Sequence, residues 1–259
     1  GVGSVPVVSA AGHDTISALV CATGMEEEHA LLCTGTWFVL GKLIRMPITE
    51  PAALRKGFLN EIAARGMTYF ARNMMGFYIL EGLLKKWKMP YARMLQAAQE
   101  SPEFAVAIDV NDPAFFSSLD PSRDIEDHLS RTGQRPAEGP GPVVRAVLEG
   151  LAFACRSALH ELELLSAAKA ARIMLLGGAA RNPLLCQMIA DATNRQLIAG
   201  PAEAAAVGNL AMQLVACGEV DSPDGIPEII ANSFPLPVYA PADPGKWEAQ
   251  AQRRAGHGN

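Results

Sequence analysis

The chain predicts an α/β domain, a mixed sheet flanked by helices. Three observations carry that expectation. Two early runs, Leu31–Lys42 and Phe58–Phe70, each place apolar segments on both sides of a glycine (Gly35, Gly66), a strand–turn–strand signal. From Val143 onward, Val144, Val147, Leu148, Leu151, Cys155, Leu159 and Leu162 recur every three or four residues, the period of a long amphipathic helix. The last third then alternates strand and helix. Hairpins followed by β-α-β-α make the sheet mixed rather than wholly parallel.

Each element follows from local chemistry. Val5–Ala10, largely apolar, reads as a buried strand, with a helix starting at Thr15–Cys21. Met25–His29, "MEEEH", reads as a solvated turn. Met74–Trp87 reads as a helix that Pro90 ends, with Met74 and Met75 packed in the core. Residues 101–142, with "DPAFF", "DPSRD" and "RPAEGPGP", read as loop-rich, and Pro142 suits the first turn of the long helix. Ile173–Leu176 is a strand, Pro183–Thr193 a helix, Gln196–Ala199 a short strand and Ala204–Ala216 a helix. The expected boundaries are one domain over residues 1–245 and a polar tail over 246–259.

Composition narrows the function classes. The 259 residues are 49% hydrophobic and 19% charged, enough apolar material for a sizeable core. A net charge of −5 argues against nucleic-acid binding by bulk charge, while leaving room for a local phosphate pocket. No apolar run reaches the roughly 18 residues that span a bilayer, so no membrane partner is expected. Five scattered cysteines, with no C-x-x-C, read as reduced, packed thiols of a cytoplasmic protein. No cysteine or histidine pair has zinc-ligand spacing, so no metal site is expected in the chain itself. The sequence opens directly on a strand-like run without an initiator Met, and a domain of a longer protein is expected.

Three junctions hold residues suited to chemistry. In "AGHDTISA", His13, Asp14 and Thr15 stand where a strand meets a helix. An aspartate there serves either as a helix N-cap or as a general base in a crevice, and the motif alone leaves both open. Thr34-Gly35-Thr36 puts two hydroxyls and unshielded backbone on a tight turn, either an ordinary hairpin loop or a cradle for phosphate oxygens. "LLGGAARNPLL" joins strand to helix through Gly177 and Gly178; it lacks both the P-loop and the G-x-G-x-x-G pattern. Asn73, beside Arg72, is placed either to cap the following helix or to bond a ligand hydroxyl.

Taken in order, "AGHDTISA", "TGTWFVLGK", "FLNE", "RNMMGFYIL", "DVNDPAFF", "TGQRPAEGPGPVVRAVLEGLAFACR", "LLGGAARNPLLCQMIADATNRQLIAGPAEAAAVGNL" and "VACGEV" resemble the C-terminal domain of FGGY-type carbohydrate kinases, rhamnulokinase-like members above all. The resemblance runs to about residue 240. It implies a ribonuclease-H-like, actin-like ATPase domain that pairs with a similar N-terminal domain and closes a cleft on a sugar and ATP with Mg²⁺. By the same resemblance Asp14 is the catalytic base, and His13, Thr15 and Asn73 face the sugar. Gly35 and Thr36 match the turn at the ATP phosphates, and Gly177 and Gly178, with Asn182 nearby, match the adenosine side.

The implied reaction is ATP-dependent phosphorylation of a ketose or deoxy-sugar such as L-rhamnulose or L-fuculose. Without the N-terminal partner domain the isolated chain is expected to be inactive, and its exposed domain-facing surface to favour a homo-oligomer. Three positions depart from the family pattern: Ala179 in the glycine loop, Phe38 where a serine is usual, and Glu81 where a glutamine contacts ATP. They motivate an alternative, a catalytically weakened sugar- or nucleotide-binding protein on a kinase scaffold.

Overall fold

The computed structural model describes residue 5 and residues 7–22, 29–116 and 118–256. In chain order the elements are α1 (Asp14–Leu19), β1 (His29–Thr34), β2 (Trp37–Ile44), α2 (Pro51–Arg55), β3 (Phe58–Ile62), β4 (Thr68–Met75), α3 (Tyr78–Trp87), α4 (Tyr91–Gln99), α5 (Pro121–Arg131), α6 (Pro140–Ser166), β5 (Arg172–Gly177), α7 (Pro183–Thr193), β6 (Gln196–Ala199), α8 (Ala204–Ala216), α9 (Ile226–Ser233), β7 (Val238–Tyr239) and α10 (Pro244–Gly256). The strands form one sheet in the order β3-β4-β2-β1-β5-β6-β7. β1, β5 and β6 run parallel, and the other neighbours are antiparallel, which is the expected mixed sheet.

Strand alternation sorts the core into two layers. Leu32, Phe38, Leu40 and Phe70 join Val147 and Leu151 of α6 and Leu80 and Leu83 of α3. On the opposite face Leu31, Cys33, Val39 and Tyr69 join Ile16 and Leu19 of α1, Ala211 of α8 and Ile230 of α9. β1 is buried along its whole length, as a central strand covered on both faces must be. Tyr69 settles its buried hydroxyl by donating to the carbonyls of Leu31 (2.9 Å) or Val39 (3.0 Å).

Three expectations need correction. Residues 7–10 are not strand, and Val7 is exposed; Pro6 lies outside the described residues, but a proline has no N–H for a ladder. The helix expected from Met74 begins at Tyr78. Met74 and Met75 finish β4 against Phe38 and Trp37, so Arg72 and Asn73 lie inside a strand rather than before a helix. Within the loop-rich residues 101–142 one helix went unread: α5 starts where the Asp120 side chain accepts from the Arg123 N–H, Pro121 takes the first turn, and Ile125 and Leu129 are buried. The segment from 246 is helical and docked rather than a tail. Trp247 is buried edge-on to Phe104, with ring centroids 5.0 Å apart, Arg254 lies over the Phe153 ring at 3.9 Å, and Glu248 pairs with Arg156. "MEEE" (25–28) and residues 257–259 lie outside the described residues. Among the described residues no helix is long and apolar enough to cross a membrane.

Candidate active site

A cleft of about 730 Å³ opens at the carboxyl ends of the parallel strands β1 and β5. This is where loops diverge in α/β sheets and ligands collect. Its floor follows from strand register. Asn73 faces Val39, Val39 faces Cys33, and Cys33 faces Leu176, so four strands contribute one row on one face. One wall is the start of α1 and another the start of α8.

These walls are held together by a close helix contact. A Cβ on Gly208 of α8 would stand 1.8 Å from the Ser17 carbonyl oxygen of α1. Only glycine lets the two backbones approach this closely, and the approach sets the height at which α1 presents its first residues.

Asp14 is the first residue of α1, and His13 occupies the capping position with extended backbone (φ −152°, ψ 172°) and no side-chain cap bond. The Asp14 carboxylate is 87% exposed at the cleft mouth, and its Oδ1 accepts from the Thr15 N–H at 2.7 Å. Beginning the helix and facing the cleft are therefore compatible. His13 Nδ1 lies 3.7 Å from Asp14 Oδ1, and its Nε2 lies 3.2 Å from Glu61 Oε2 on β3. Thr15 and Asn73 line the same cleft.

Across the cleft, two turns are locked by Thr34. Its Oγ1 donates to the Leu176 carbonyl at 2.8 Å and accepts from the Ala179 N–H at 3.1 Å. The Gly35-Thr36 turn closes with the Gly35 N–H on the Trp37 carbonyl, and the carbonyls of Gly35 and Thr36 accept from Phe77 and Tyr78. Gly177 has φ +97°, and a Cβ there would meet the Thr34 carbonyl oxygen at 2.2 Å. Gly178 differs: nothing lies within 4 Å of where its Cβ would be. Gly35, Thr36, Gly177 and Gly178 all line the cleft that Asp14 enters.

Asn182 does not join them. It is fully buried, its side-chain oxygen caps α7 by accepting from the Leu185 N–H at 3.0 Å, and its amide donates to the Tyr91 hydroxyl at 3.1 Å. A helix N-terminus uses an Asn cap in this way without any ligand. Two of the three departures are also absorbed by packing. The Ala179 methyl is buried in the core layer that holds α6, and cannot crowd a nucleotide. Phe38 fills the same layer, edge-on to Phe77 at 5.3 Å. Glu81, exposed in the first turn of α3, borders a separate depression with Lys85 and Lys86.

Sequence reading missed Thr34 as the clasp, Glu61, and the wall Ala202–Ala206. The glycine pairs flagged their neighbourhood, but only register brings them together. The site's electrostatics are acidic. Burial first, then the neighbouring Cys21, Asp14 and Glu61, push the Cys33 thiol far up, so the floor carries a neutral thiol rather than a nucleophile. Among the described residues no three His, Cys, Asp or Glu side chains gather to hold a metal ion. A Mg²⁺ at this cleft would take most of its ligands from phosphates and water, which is its usual habit.

Comparison with known proteins agrees with this geometry. The family model for the "FGGY family of carbohydrate kinases, C-terminal domain" matches residues 30–217. A rhamnulokinase of Bacteroides thetaiotaomicron is 32% identical over 250 residues, covering 96% of this chain and 52% of that protein. One of Halalkalibacterium halodurans is 35% identical over 241 residues, covering 92% and 51%. The chain thus spans about half the length of the curated relatives it matches. Among solved structures, a xylulose kinase from Rhodospirillum rubrum superposes with a TM-score of 0.68 at 18% identity, over 94% of this chain and 49% of that one. A Plasmodium falciparum glycerol kinase with ADP also reaches 0.68, at 16% identity over 94% and 49%. The mixed sheet and its flanking helices are the ribonuclease-H-like, actin-like ATPase fold of these kinases. With that fold, the cleft at its parallel strand ends and a family match over residues 30–217, the chain belongs to the FGGY family of carbohydrate kinases and carries its C-terminal domain.

Proposed function

We propose that a polypeptide carrying this domain together with an N-terminal kinase domain transfers the γ-phosphoryl group of ATP to a hydroxyl of a neutral ketose or deoxy-sugar. The relatives' name, rhamnulokinase, favours L-rhamnulose, and the family resemblance of the motifs adds L-fuculose as a second candidate. The observation that carries the reading is a single cleft lined on one side by an exposed carboxylate, Asp14, and on the other by the open backbone of Gly178. Asp14 Oδ1 is held by the Thr15 N–H, which leaves Oδ2 to take the sugar hydroxyl proton. As that proton leaves, the sugar oxygen bonds to the γ-phosphorus, the bond from phosphorus to the bridging oxygen breaks, and ADP departs.

His13, Thr15 and Asn73 orient the sugar. Gly35 and Thr36 lie toward the phosphates, and Gly177 and Gly178 admit the nucleotide close to the backbone. Mg²⁺ bound to the nucleotide supplies charge neutralisation. The domain includes α10, whose Trp247 belongs to the same core as α6. A reducing compartment such as the cytoplasm suits the five free cysteines.

The burial of Ala179 and Phe38 removes two of the three reasons for the weakened-binder alternative. The test is a coupled ADP-release assay of the full polypeptide with Mg-ATP over a panel of ketoses and pentitols. Turnover of at least one neutral sugar is expected. Asp14→Asn should lower the rate by about 10²–10⁴ without unfolding the protein. A folded protein that phosphorylates no sugar, or an Asp14→Asn variant at full rate, refutes the reading.

A further inference from the structure

Glu61 is a largely buried carboxylate at the edge of the sheet. It sits on β3, the edge strand, opposite Tyr69 of β4. Alternation along β4 therefore puts its side chain on the face shared by Ala71 and Asn73, which is the face of the cleft floor. The side chain is only 27% exposed, and it lines the cleft. Its Oε2 is buried and accepts no hydrogen bond among the described residues. His13 Nε2 stands 3.2 Å away, at ion-pair distance but without hydrogen-bond geometry. A buried carboxylate oxygen that lacks a donor costs the fold free energy, and such groups call for a reason.

The missing donor identifies the ligand chemistry. A carboxylate accepts from hydroxyls and repels phosphates and carboxylates. The other polar side chains at this end of the cleft are His13, Asp14, Thr15 and Asn73. None of them is a Lys or Arg that would neutralise an acidic group.

We propose that Glu61 is a specificity-determining residue whose Oε2 accepts a hydrogen bond from a non-reacting hydroxyl of a neutral polyol, while Asp14 serves the reacting one. This inference rests on the kinase reading above. It adds that the sugar lies between α1 and β3, with His13 between the two carboxylates.

Two variants test it in the full polypeptide. Glu61→Leu removes the acceptor and keeps the bulk, and Glu61→Gln removes the charge and keeps an acceptor. KM for L-rhamnulose and L-fuculose, KM for ATP and thermal melting are measured for each. Glu61→Leu should raise the sugar KM by about tenfold to a hundredfold, the usual scale for a lost hydrogen bond to a charged group, with KM for ATP unchanged. Glu61→Gln should fall between native and Glu61→Leu. A purely structural Glu61–His13 contact predicts a lower melting temperature with an unchanged sugar KM, and that result overturns the proposal. Should the native polypeptide turn over no sugar, the kinase reading fails by itself, and calorimetry with the same two ketoses then decides Glu61. Binding to the native protein that weakens in Glu61→Leu supports the role, whereas equal binding to both, or none to the native protein, overturns it.

Discussion

Thr34 and Ala179 are 145 residues apart in sequence and share a hydrogen bond of 3.1 Å, from the Ala179 N–H to the Thr34 hydroxyl. The same hydroxyl donates to Leu176 at 2.8 Å. One side chain on β1 thereby joins the hairpin turn at Gly35 to the glycine loop after β5. Thr34→Val keeps the shape and strands both partners. It should destabilise the domain by about 1–3 kcal/mol in urea unfolding and raise KM for ATP, because the two turns lose their common anchor.

The two glycines of the loop should separate by mechanism. Gly177 is at φ +97° and presses on the Thr34 carbonyl, so Gly177→Ala should cost more than about 1 kcal/mol of stability. Gly178 faces open space, so Gly178→Ala should melt like the native protein. A methyl there projects where we infer the nucleotide approaches, and ADP binding by calorimetry should weaken. Equal melting losses in both variants would contradict this division.

Asn182 should behave as a cap rather than a ligand. Asn182→Ala removes the bonds to Leu185 and Tyr91 and should cost about 0.5–2 kcal/mol in chemical denaturation. Nucleotide affinity in the variant that remains folded should be unchanged.

Thiol reactivity should follow burial. Cys21, Cys155 and Cys186 are pushed up to about 12 by burial, and Cys33 further still, whereas Cys217 is exposed. Since the thiolate is the reactive form, a chromogenic disulfide reagent at pH 8 should titrate one thiol quickly in the folded chain. Cys217→Ser should abolish that phase, and the other four should react only on unfolding.

What was legible in the sequence was written in local signals. Pro183 opens α7, the 3.6-residue period from Val144 to Leu162 marks α6, and Gly35 and Gly66 mark the two hairpins. These signals depend on neighbours within a few residues, so no tertiary information is needed. Elements whose residues are polar by composition were not legible in this way. α5 and α10 carry charged surfaces, and each is held by a few buried anchors, Ile125 and Leu129 in one and Trp247 in the other. Their partners, such as Phe104 and Phe153 for Trp247, come from distant chain.

By itself, then, the sequence determined the fold class, the order of the later elements and the family, together with the residue types at each junction. Tertiary structure decided which of those residues meet. Docking of α1 through Gly208 brings the Asp14 carboxylate to the cleft mouth, and the packing of α7 buries the Asn182 side chain away from it. Glu61 and Thr34 acquired their places only from strand register, which carries each side chain to one face or the other. The reason is range. Turns and helix periods are dictated by contacts a few residues apart, whereas a cleft is made of backbones and side chains from α1, β1, β3, β4, β5 and α8 that only the packed sheet brings together.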